Sequence, residues 1–162
     1  MRWRALLAGV MLASASTVSF AVTTTTSTFS VQLTITASCI ISSASSLTFA
    51  PSGVIATAMN QTSTVQVQCT NTTPFNIGLN AGTATGATVT TRKMTSGSNT
   101  INYSLFSNAG MTTNWGQTIG TDTVSSTGTG AAQSFTVYGQ VPAQSTPAPG
   151  AYSDTITVTV TY

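Results

Sequence analysis

From Phe29 onward, apolar and polar side chains alternate along the chain. Phe29, Val31, Leu33 and Ile35 are interleaved with Ser30, Gln32, Thr34 and Thr36. Val65, Val67 and Cys69 alternate with Gln66, Gln68 and Thr70, and Ile156, Val158, Val160 and Tyr162 alternate with threonines. Period two is the repeat of a strand with one buried face, and no window fits the 3.6-residue helical period better. Residues 47–50, 74–80, 101–107 and 133–138 read as further strands. Turn formers at 51–53, 80–82, 95–99 and 125–130 cut the chain into hairpin-sized lengths. About seven short strands of this kind predict an all-β, immunoglobulin-like antiparallel sandwich, with a barrel as the alternative.

The first residues break this pattern. Arg2 and Arg4 precede an apolar run at 5–12, and Ser19-Phe20-Ala21 places small residues at the two positions read by signal peptidase. Residues 1–21 are therefore expected to be an export signal cleaved after Ala21. So short a run cannot span a bilayer, which takes about 20 apolar residues. No later segment is long and apolar enough to do so, and membrane insertion is not expected.

Charge narrows the function classes. The whole chain carries four Lys and Arg against two Asp and Glu. Without Arg2 and Arg4, the pair Arg92 and Lys93 balances Asp122 and Asp154. Nucleic-acid binding needs a field of cations, which one basic pair does not supply. Charged residues are 4% of the chain, against about 25% in ordinary soluble domains. With little self-repulsion, such a composition favours an assembled state.

Two cysteines, Cys39 and Cys69, suit one disulfide in an exported β protein. The chain-entropy model assigns it about 3.5 kcal/mol. Metal binding is not expected, because the chain has no His and its two Asp lie far apart. Without His, the many hydroxyls lack an ordinary general base, and Lys93 is the only lysine. Asp122 and Asp154 read as a turn residue and the start of the last strand rather than a glycosidase pair. No catalytic site and no cofactor are expected. Trp115, beside Gly116, reads as a core or turn residue, the rival being a surface-binding loop.

Together these segments resemble a known family. F-S-V-Q-L-T-I-T-A-S-C (29–39), L-T-F-A (47–50), V-Q-V-Q-C-T (65–70), R-K-M (92–94) and I-N-Y-S-L-F-S (101–107) are similar to the spore coat protein U domain. So are N-W-G (114–116), V-Y-G-Q-V-P (137–142) and the ending G-A-Y-S-D-T-I-T-V-T-V-T-Y (150–162). The order and spacing cover essentially all of the chain after the signal. Ala50 departs from the pattern, in which a Gly follows the Phe.

The resemblance implies a structural subunit of an archaic chaperone-usher pilus, with a role in adhesion or biofilm formation. Its fold would lack a final strand, supplied first by a periplasmic chaperone and then by a neighbouring subunit during assembly through an outer-membrane usher. The destination would be the cell surface, reached through the periplasm. A spore-coat component or an adhesin-like surface-binding module is the alternative setting.

The residues give this reading its candidate parts. Residues 22–38 would be an N-terminal arm, with Phe29, Val31, Leu33 and Ile35 as donor side chains, and 39–162 the sandwich. Gly150, Tyr152, Ile156, Val158, Val160 and Tyr162 would form the edge that pairs with the chaperone and accepts the donated strand. Burying the four donor side chains is worth about 6 to 12 kcal/mol before ordering costs. The rival for this arm is an ordinary first strand of the same molecule.

Overall fold

The computed structural model describes residues 18–162, so the expected signal features at Arg2, Arg4 and 5–12 lie outside the described residues. The chain divides into two units, Met1–Thr34 and Ile35–Tyr162. In the first, residues 18–34 form neither strand nor helix and are exposed.

The second unit holds eight strands: β1 (Cys39–Ala44), β2 (Met59–Cys69), β3 (Pro74–Leu79), β4 (Arg92–Ser96), β5 (Asn99–Phe106), β6 (Val124–Thr127), β7 (Ala132–Val141) and β8 (Val158–Thr161). They pair antiparallel in a five-stranded sheet, β1-β2-β7-β5-β4, and a three-stranded sheet, β6-β3-β8. This is the sandwich expected from the alternation.

The longest ladder joins β2 to β7, from Met59 opposite Val141 to Gln68 opposite Ala132. Their pleat sorts the side chains. Val65, Val67, Val137 and Val141 are buried between the sheets, while the intervening Thr and Gln positions face outward. From the smaller sheet, Phe75, Ile77 and Leu79 of β3 complete the core. Phe75 meets Phe135 of β7 edge-on, with centroids 5.9 Å apart and planes at 90°, an arrangement that adds to area burial. Cys39 stands opposite Cys69 at the start of the β1–β2 ladder, and the structure joins them in a disulfide.

Several expectations change. Residues 29–35 and 47–50 form no strand, because neither stretch has a main-chain ladder. Three strands, β1, β4 and β6, fall where none was expected. In β1 a bulge between Ile41 and Ser43 interrupts the alternation. In β4 the buried position is an arginine, which a hydropathy pattern reads as surface. Arg92 and Lys93 therefore lie in a strand, and Arg92 is 0% exposed.

Candidate functional site

A groove of about 800 Å³ runs along the inner face of the five-stranded sheet. Its floor is apolar: Met59 and Val65 of β2, Val137 and Val141 of β7, and Ile101 and Leu105 of β5. Residues 44–50 form one rim and residues 146–158 the other. Alternation explains the second rim, since Tyr152, Ile156 and Val158 are half-buried between exposed neighbours.

Both rims are held at their ends and lack a ladder partner between them. On the first, Ser45 N–H reaches the Thr64 carbonyl at 2.9 Å, and Gln61 Nε2 reaches the Thr48 carbonyl at 3.2 Å. Among the described residues, Leu47 and Phe49 have no main-chain partner. Their side chains nonetheless pack on the core, and Gly139 makes this possible. A Cβ there would stand 2.6 Å from Leu47 Cδ1 and 3.3 Å from Phe49 Cζ. On the second rim, Ser153 exchanges hydrogen bonds with Thr95 at 2.9 and 3.1 Å, and from Val158 the chain joins β3. Between them, Asp154 and Ile156 have no main-chain partner among the described residues. Unpaired polar backbone beside an apolar floor is the condition under which a sheet adds a strand.

Behind the second rim lies a polar network. Asp154 Oδ1 accepts from Thr83 N–H at 2.8 Å, Thr83 Oγ1 at 2.9 Å and Thr155 N–H at 2.8 Å. Its Oδ2 accepts from the Tyr103 hydroxyl at 2.7 Å. Burial, reinforced by that bond to the carboxylate, holds the Tyr103 phenol protonated far above its ordinary range. Asn80 pairs with Thr157 twice: its N–H donates to the Thr157 carbonyl at 3.2 Å, and its Oδ1 accepts from Thr157 N–H at 2.9 Å. Asn80's own carbonyl accepts from Arg92 Nε at 2.8 Å. The same guanidinium donates to the carbonyls of Val89 at 2.7 Å, Leu79 at 3.0 Å and Trp115 at 2.7 Å. Burial lowers the Arg92 pKa, opposed by Tyr103, Asp154 and Asp122, and the carbonyls replace the lost water.

The expected site residues thus separate. Gly150, Tyr152, Ile156 and Val158 line the groove, whereas Val160 and Tyr162 do not; Val160 pairs with Ile77 of β3, and Tyr162 is exposed. Phe29, Val31, Leu33 and Ile35 are 87, 85, 85 and 71% exposed. Trp115 is buried and donates its Nε1–H to the Ile77 carbonyl at 2.8 Å, so it offers no surface platform. Asp122 closes a turn by accepting from Thr118 N–H at 2.6 Å. Among the described residues, no cluster of His, Cys, Asp and Glu could hold a metal, and no helix is long and apolar enough to cross a membrane.

Sequence reasoning missed Asn80, Arg92, Tyr103 and Gly139. The one available signal was Arg92 itself, which with Lys93 is a rare cation in a chain nearly without charge.

The fold and groove define an immunoglobulin-like sandwich with an open apolar groove. Residues 25–159 match the Spore Coat Protein U domain, and the chain belongs to that family. A similar solved structure is the CsuC-CsuE chaperone-tip adhesion subunit pre-assembly complex from archaic chaperone-usher Csu pili of Acinetobacter baumannii. The two chains are 23% identical with a TM-score of 0.59, and the alignment covers 80% of this chain but only 41% of that one. At this identity the likeness speaks to fold. No curated protein matches the chain.

Proposed function

We propose that the protein is a structural subunit of a surface pilus of the archaic chaperone-usher type, polymerising by donor-strand complementation. One observation carries the reading: an apolar groove with unpaired main chain on both rims, at Leu47 and Phe49 and at Asp154 and Ile156, occurs in a chain that also bears an exposed, alternating apolar arm. At about 3.3 Å per residue, an arm extended from Phe29 to Ile35 would reach about 20 Å. A strand laid between the rims would give both of them main-chain partners and set alternate side chains on the floor.

In this reading residues 1–21 are removed on export, 22–38 are the arm, and 39–162 are the body that accepts a neighbour's arm. A periplasmic chaperone fills the groove before assembly, and an outer-membrane usher exchanges it for the arm of another subunit. The family and the pilus setting of the Csu complex support this placement. Adhesion or biofilm formation would follow from the filament, with no reaction catalysed.

The test charges the arm. In the double substitution Val31→Asp and Leu33→Asp, two unpaired carboxylates would have to enter an apolar groove, at a cost of several kcal/mol, on the order of 4 or more. The variant is exported and bound by its chaperone but fails to extend polymers. Electron microscopy and heat-resistant ladders on gels give the readout in cells carrying only the variant. Filaments of normal length would show instead that the arm is a first strand of its own molecule.

A further inference from the structure

We infer that Asn80 and Asp154, with Tyr103 and Arg92 behind them, are positioning residues that hold the second rim in strand-ready form while the groove is empty. This rests on the strand-acceptor reading above and goes beyond it, by naming what keeps the unpaired rim in place.

The rim has a gap in its support. Its main chain is held at Ser153 by the bridge to β4 and from Val158 by the ladder to β3. Residues 154–157 pass between these two sheets with no strand ladder. An unladdered stretch beside an open groove has every reason to collapse onto the apolar floor or fray into solvent, since the main chain of Asp154 and Ile156 is unpaired and Ile156 is only half-buried. The main chain and amide oxygen of Asn80 and the carboxylate of Asp154 bridge the gap instead. Asn80 holds Thr157 by both its N–H and its carbonyl, and Asp154 is tied to Thr83, Thr155 and Tyr103. All these bonds use atoms other than the main chain of Asp154 and Ile156, which stays free for an incoming strand.

The support is rigid because it is buried at its root. Arg92 spends one donor on the Asn80 carbonyl and the others on Leu79, Val89 and Trp115, so Asn80 is fixed from its main-chain side while its amide oxygen faces Thr157. Gly82, at φ +87°, lets the carboxylate of Asp154 lie against the 80–83 turn, where a Cβ would collide with it. Asn80 Oδ1 also accepts from Gly82 N–H at 3.1 Å, locking the same turn. Preorganisation of this kind acts on the rate at which a strand is captured: the ordering cost is met before encounter rather than during it.

The experiment uses the full chain carrying Val31→Asp and Leu33→Asp, so that it accepts strands but donates none, and a fluorescent peptide of residues 25–37. Stopped-flow association and dissociation are measured for this acceptor, then with Asn80→Ala or Tyr103→Phe added. Losing one or two net hydrogen bonds from the free rim should slow association about fivefold for Asn80→Ala and about twofold for Tyr103→Phe. Dissociation should stay within about twofold, since the added strand itself holds the rim once bound. Hydrogen exchange in 153–157 should rise in the peptide-free variants and return to the parent level with peptide bound. Tyr103→Phe removes a single hydroxyl and serves should Asn80→Ala not fold. Unchanged association in a folded variant, or an effect confined to dissociation, overturns the positioning role. Failure of the peptide to bind the parent acceptor instead overturns the strand-acceptor reading beneath it.

Discussion

Two stretches of this chain carry the same pattern and meet opposite fates. Val65, Val67 and Cys69 alternate with polar residues and are sealed in the core at 3, 0 and 1% exposure. Phe29, Val31, Leu33 and Ile35 alternate just as cleanly and stand in the open. The difference is partners: β2 is flanked by β1 and β7 in register, whereas 29–35 pairs with nothing among the described residues. Alternation specifies that one face needs burial. It does not specify which chain buries it.

The sharpest way to break this comparison is to place the same charge in both stretches. Val67→Asp puts an unpaired carboxylate at a fully buried site, at a cost of about 4 kcal/mol or more, so the protein should fail to accumulate in folded form. Val31→Asp should leave the unfolding midpoint of the unassembled chain where it was. Chemical denaturation followed by Trp115 fluorescence reads both. A loss of stability from Val31→Asp in the unassembled chain would mean that the arm is buried within its own molecule.

The same contrast explains what was legible in the sequence. Strands whose inner face is mostly apolar, β2, β3, β5 and β7, were legible in the sequence, as was the terminal run that lines the groove. Residues 47–50 read as a strand and not as an unladdered rim, because a side-chain pattern does not report whether backbone groups are paired. The polar support was hidden for a different reason. Arg92 is buried only because four carbonyls from three separate parts of the chain converge on it, and convergence of that kind is a property of the fold. Asp154 read as a strand start for its position, and only the structure brings Tyr103 and Thr83 to it.

Reducing the Cys39–Cys69 disulfide should have the next largest effect, about 3.5 kcal/mol by loop entropy. It should act on the body and leave the exposure of the arm unchanged. Thiol titration of the denatured, unreduced protein should find no free thiol, and reductant should shift the denaturation midpoint downward. With Arg92 buried and Lys93 in the same strand, trypsin should leave the oxidised body intact and cut there as reduction loosens the fold. Cleavage of the oxidised protein at Arg92 as fast as of the denatured chain would contradict the burial of β4.

The smallest expected effect isolates the groove's polar support. Tyr103→Phe removes the hydroxyl that donates to Asp154 and should cost about 1 kcal/mol near neutral pH. Its signature is in the alkaline range. Burial, then the bond to Asp154, raises the phenol's folded pKa, whereas the unfolded chain ionises it near the ordinary value of about 10. Below that pH both states keep the proton and the contribution is whole. Above it the unfolded state binds fewer protons than the folded one, so stability falls with rising pH, by up to about 1.4 kcal/mol per unit from this group. The variant lacks that slope. Denaturation curves taken from pH 8 upward should show the native protein ahead at first and the two converging near pH 11, about one unit above the free phenol. A gap that stays constant across this range would show that the Tyr103 hydroxyl is as free to ionise in the fold as outside it, and that the rim is held without it.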